Sequence, residues 1–114
     1  MPHPKIFALD ELVPAVERAR AGGRRVVHCH GVFDVVHPGH IRHLAAAKAE
    51  GDILVVTITA DKFVDKGPGR PAFNEQLRTE ALAALACVDY VAINRARSEG
   101  GMKSIIGPVT RAAE

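Results

Sequence analysis

Tryptophan is missing from the chain, and aromatic residues together make up only 4% of it. So few rings leave no stacking platform for single-stranded nucleic acid. A bias toward one sign of charge is also lacking. Fifteen basic and 13 acidic residues leave a formal net charge of +2, too little for a surface that tracks nucleic acid or membrane. No apolar run is long enough to cross a bilayer. The opening Met1-Pro2-His3-Pro4-Lys5 has no signal-peptide core, so a cytoplasmic location is expected. There are two cysteines, Cys29 and Cys87, too few for a disulfide framework, and both read as small core residues. With 114 residues, 47% hydrophobic and 25% charged, the chain can bury the core of one modest globular domain.

Periodicity then orders the chain. Leu12, Val13, Val16 and Ala19 recur at helical spacing behind a candidate cap at Asp10, with Pro14 in the first turn and Gly22-Gly23 ending the helix. Arg25 to His30 reads as a strand. The segment from Pro38 or Gly39 to about Glu50 reads as a helix with Ile41, Leu44 and Ala45 inward and Arg42 and Lys48 solvated. Ile53 to Thr59 is apolar almost throughout, as a parallel strand buried on both faces would be. A Gly- and Pro-rich loop covers 62–71. Asn74 can cap a helix to about Cys87, with Leu77, Ala81, Leu82 and Leu85 as its stripe, and Val88 to Ile93 is a third strand. This β-α-β-α-β order predicts an α/β domain over 1–94, with parallel strands and right-handed crossovers. Residues 95–114 show no clear period and read as an irregular tail.

Chemistry gathers in the stretch from Gly31 to His40, Gly-Val-Phe-Asp-Val-Val-His-Pro-Gly-His, between the first strand and the helix that follows it. His37 and His40 are three residues apart, which puts both on one face of the first helical turn. Gly39 between them leaves room for a ligand to approach the backbone. The helix start offers unpaired N–H groups and partial positive charge, a seat for phosphate. Asp61 sits just past the second strand, at the same sheet edge as Phe33 and Asp34, where open α/β sheets bind ligands. Lys66 and Arg70 put two cations on the Gly/Pro loop, which reads either as a lid over that seat or as a plain solvated loop. His28 and His30 share one face of the first strand. They read as a polar strand end turned toward a ligand, or as satisfied core histidines. A metal cluster would call for Cys or carboxylates at matched spacing, which are not evident.

The Gly31-Val-Phe-Asp34 and His37-Pro-Gly-His40 pair resembles the extended H-x-G-H signature of the cytidylyltransferase-like nucleotidyltransferases. Lys66-Gly67, Arg70-Pro71, Glu75-Gln76 and Arg78 are similar in spacing to the nucleotidyltransferase domain of bacterial ADP-heptose synthases, with glycerol-3-phosphate cytidylyltransferases as near relatives. The resemblance spans about Lys5 to Asn94. It implies a Rossmann-like sheet, and in-line transfer of a nucleotidyl group from ATP or CTP to a sugar phosphate or polyol phosphate. Pyrophosphate leaves, and no covalent intermediate forms. It assigns catalysis to His37, His40 and Lys66, and nucleotide binding to Gly31, Val32, Phe33, Arg70 and Arg78, to which the close-approach glycine Gly39 and the sheet-edge Asp61 are added from their positions. Mg²⁺ would arrive on the triphosphate, with no protein metal site. A homodimer and association with a sugar kinase are the partners the family suggests; nucleic acid and membrane are not. The family's Arg-x-x-x-[Ile/Cys]-Ser-Thr-Thr-like segment has no counterpart, so a shortened C-terminal part is expected. That departure keeps a second reading open, a module that binds nucleotide without turning it over.

Overall fold

A β-strand with apolar side chains on both faces must be covered twice, and the second strand of this protein is covered twice. The computed structural model describes residues 3–64, 67–69, 71–95 and 110–112. Its elements run α1 (Leu9–Ala21), β1 (Val26–Gly31), α2 (Pro38–Lys48), β2 (Ile53–Thr59), a 3-10 turn at Asp61–Phe63, α3 (Glu75–Ala83), β3 (Tyr90–Asn94) and β4 (Thr110–Ala112). The four strands form one parallel sheet in the order β3-β2-β1-β4. The fold is α/β and Rossmann-like, with helices flanking the sheet.

The pleat sorts the core into two clusters. Val27, Cys29, Leu54, Val56, Ile58 and Val91 pack with Leu44 and Ala47 of α2 and Leu82 and Ala83 of α3. The alternate residues Val26, Ile53, Val55 and Ala92 pack with Leu12, Val16 and Ala19 of α1. So α2 and α3 share one face and α1 takes the other. The edge of β3 is partly covered by the N-terminal segment, where the Val91 N–H donates to Lys5 O at 2.8 Å and Phe7 N–H donates to Val91 O at 2.9 Å.

Several expectations shift at their boundaries. The cap of α1 is Ala8, with Asp10 in the first turn and Pro14 inside the helix. In α2, the buried face is His40, Leu44 and Ala47, and Ile41 is exposed. Lys48 is not simply solvated: its Nζ reaches Asp89 Oδ2 at 2.6 Å and the Asp52 carbonyl at 2.9 Å. α3 ends at Ala83, and its buried face is Glu75, Arg78, Thr79, Leu82 and Ala83, while the expected stripe residue Leu77 is 48% exposed. Of the stretch expected to be an irregular tail, Thr110–Ala112 pairs with β1 as β4, and 96–109 and 113–114 lie outside the described residues.

Successive strands β1, β2 and β3 step to one side, and β4 lies on the other side of β1. The order therefore reverses at β1. In open α/β sheets that reversal opens a crevice beyond the carboxyl ends of the strands. The turn from Gly31 to Asp34 leaves β1 at that point, and α2 begins directly after it.

Candidate active site

His37 is the N-cap of α2, in extended backbone, and Pro38 takes the first helical position, where its missing N–H costs nothing. Its Nδ1 accepts the Gly39 N–H at 3.0 Å. One turn on, His40 Nδ1 accepts the His37 N–H at 3.3 Å. The two rings lie 3.9 Å apart between centroids and are tilted by 33°. A ring whose Nδ1 accepts a backbone hydrogen bond carries its proton, in the neutral form, on Nε2. Both imidazoles are thus set as Nε2–H donors, one exposed at the surface and one 7% exposed beneath it.

Gly39 has an internal reason to be glycine. A Cβ there would lie 2.7 Å from His37 Cε1 and 3.0 Å from His37 Nδ1. The residue that caps the helix and the residue that must lack a side chain are therefore one device.

Below the pair stands Phe33, fully buried, with its ring edge-on to His40 at 5.4 Å and 66°. Its φ is +50°, left-handed backbone in a residue with a Cβ, which costs about 1 kcal/mol and persists only where neighbours fix it. Neighbours on both sides are fixed. The Val32 carbonyl accepts from Arg78 Nη1 at 2.8 Å. The Asp34 carboxylate accepts the Ala72 N–H at 3.0 Å and the Phe73 N–H at 3.1 Å.

Arg78 and Asp61, both expected at the nucleotide, are brought together with each other. Arg78 Nη2 donates to Asp61 Oδ1 at 2.6 Å, Nε donates to the Phe73 carbonyl at 3.1 Å, and the side chain is 0% exposed. Glu75 was not singled out as a site residue. Its carboxylate accepts the Asp61 N–H at 2.9 Å through Oε1 and Arg95 Nη1 at 2.8 Å through Oε2. Its place in the family-like spacing names no partner, and a Glu after an Asn cap otherwise reads as a favourable charge at a helix start. Gly31 ends β1 and is buried, and Val32 is half-buried. Lys66 and Arg70 lie outside the described residues. Gly67 and Gly69 between them take left-handed backbone, with φ of 95° and 77°.

His28 is a buried core histidine: Nε2 lies 2.7 Å from Thr57 Oγ1, and His30 Nδ1 lies 2.8 Å from the same oxygen. Among the described residues no three His, Cys, Asp or Glu side chains gather as a metal cluster. Two open clefts, of about 630 and 580 Å³, border the start of α1, the second also bordering the end of β3; the histidine pair lines neither. No helix among the described residues is long and apolar enough to cross a membrane.

The cytidylyltransferase-like family model matches residues 28–98, a span that runs from within β1 through the histidine pair and past β3. The chain belongs to that family. It is 44% identical over 88 residues to the bifunctional protein HldE of Ectopseudomonas mendocina, covering 75% of this chain and 19% of that protein. Identity to the HldE of Helicobacter pylori is 43% over 93 residues, covering 80% of this chain and again 19% of the relative. The chain therefore spans about a fifth of the length of the curated relatives it matches. The crystal structure of the lipopolysaccharide core biosynthesis protein from Thermoplasma volcanium superposes with a TM-score of 0.60 at 36% identity, covering 74% of this chain and 67% of that one. The cytidylyltransferase-like domain thus places the chain among nucleotidyltransferases.

Proposed function

We propose that the chain transfers a nucleotidyl group from ATP or CTP to a sugar phosphate or polyol phosphate, with release of pyrophosphate. The observation that carries this is the stacked histidine pair at the start of α2, both Nδ1 atoms held by backbone amides where the sheet order reverses, with His37 at the surface and His40 Nε2 buried beneath it. Nucleotidyl transfer asks for positioning and charge stabilisation more than for a protein nucleophile. The acceptor phosphate attacks the α-phosphorus in line, and His37 and His40 donate to the phosphate oxygens as charge builds on them. The backbone of Gly31, Val32 and Phe33 lines the nucleotide. Lys66 and Arg70 take the charge of the triphosphate or of the acceptor.

Mg²⁺ is proposed to ride on the triphosphate. The rim carboxylates suit that arrangement, since Asp34 holds two amides, Asp61 holds Arg78, and Glu75 holds Arg95 and an amide. The sugar-phosphate acceptor and ATP as donor are favoured by the likeness to HldE, and the cytoplasm is the proposed location. A homodimer and a sugar-kinase partner belong to the same proposal.

A pyrophosphate-release screen with ATP and CTP across sugar phosphates and polyol phosphates tests the reading, with His40→Ala as control. Release with one donor–acceptor pair, lost in the control, is expected. No release with any pair, alongside nucleotide binding by calorimetry, would leave a binding module without catalysis.

A further inference from the structure

Arg78 has no surface to offer a phosphate. Its side chain is 0% exposed, and each of its three nitrogens donates to a protein oxygen: Nε to Phe73, Nη1 to Val32 and Nη2 to Asp61. These oxygens belong to three separate segments, the exit of β1, the exit of β2 and the entry to α3. A planar guanidinium holds such a set in fixed relative directions, which a flexible ammonium does not. What Arg78 holds leads straight to the histidines. The Val32 carbonyl precedes Phe33, whose left-handed backbone needs fixing from outside. The Phe33 ring stands edge-on to His40, and His40 stacks on His37. Asp61 keeps the guanidinium in place, and Glu75 keeps Asp61 in place through its N–H.

We propose that Arg78 is a positioning residue for His40, acting through the Val32 carbonyl and the Phe33 ring, with Asp61 as its anchor. This rests on the nucleotidyltransferase reading for its kinetic half only. The geometric half concerns the apoprotein and can be measured without turnover. Arg78 then sets the angle at which the deeper imidazole is held.

Arg78→Lys and Asp61→Asn each remove the fork or its anchor with little change in volume. Phe33→Leu removes the ring edge. Imidazole nitrogen and proton resonances are recorded for each apoprotein, with His3 as the remote reference and circular dichroism as the fold check. The expected result is a shifted or doubled His40 signal in all three variants with His3 unmoved. Pyrophosphate release should then fall by about 10²-fold in kcat, the scale of a misplacement of about 1 Å, with KM for the nucleotide little changed. Arg78→Lys combined with Phe33→Leu should be no worse than the weaker single variant, because one line of contact is broken only once.

An unmoved His40 signal in folded Arg78→Lys and Asp61→Asn overturns the proposal. So does a raised KM with unchanged kcat, which would make Arg78 a nucleotide contact. If Arg78→Lys does not fold, Asp61→Asn decides by the same signal. If the native chain releases no pyrophosphate, the function falls and the His40 signal still decides the positioning.

Discussion

Both α2 and α3 open on a polar cap whose side chain accepts an amide of the first turn, His37 Nδ1 from Gly39 in one and Asn74 Oδ1 from Leu77 at 2.9 Å in the other. Beyond the cap they diverge. The first turn of α2 stacks one imidazole on another and leaves the cap residue at the surface. The first turn of α3 turns Glu75 and Arg78 inward, where carbonyls, an amide and a carboxylate meet them. The same local grammar gives a paired-imidazole edge in one helix and a brace in the other. A charged residue near a helix start therefore says little about chemistry until its partners are known.

Five substitutions bear on that contrast. The largest effect is expected at the brace. Arg78→Ala leaves Asp61 and two carbonyls without their donor and should cost about 3–5 kcal/mol, seen as an earlier urea midpoint. Stability near that of the native chain would mean the brace is not what holds the three loop ends.

Next comes the histidine edge. His40→Ala and His37→Ala should each lower pyrophosphate release by about 10²–10³-fold. His37→Ala also loses a cap, for a further loss of about 1 kcal/mol in stability. A similar loss of rate from Asn74→Ala would erase the distinction between the two helix starts.

Gly39→Ala sharpens the contrast from inside α2. The new Cβ meets the His37 ring, so activity should fall by up to about 10²-fold. Alanine favours the helix over glycine by about 1 kcal/mol, and the displaced His37 cap loses about as much, so melting should change little. An active Gly39→Ala chain would show that the ring has room to move.

The smallest effect is Asn74→Ala, a lost cap worth about 1 kcal/mol in thermal unfolding with the rate of release kept. A collapse in rate would tie the α3 cap to the site more tightly than the hydrogen bonds indicate.

Much of the fold was legible in the sequence, and for definite reasons. Ile53–Thr59 was read to the residue because a strand covered on both faces is apolar throughout. The α1 stripe was nearly right because Leu12, Val16 and Ala19 have no polar competitor. The α3 stripe was misread. Hydropathy sends Leu77 inward and Arg78 outward, and the structure leaves Leu77 48% exposed and Arg78 1%. A guanidinium given three oxygens can be buried, and no periodicity announces those oxygens. The strand β4 has only three residues and takes its place by pairing with β1, so it left no pattern of its own.

By itself the sequence determined the order of the three helices and the first three strands, and the spacing of His37 and His40. Both follow from local geometry, a two-residue pleat and a three-residue step within one turn. The tertiary structure alone decided that Arg78 faces inward, because the Val32 carbonyl it grips lies 46 residues away in the chain. It also decided that Phe33 stands against His40, because a left-handed turn in a residue with a Cβ survives only where the folded neighbours hold it.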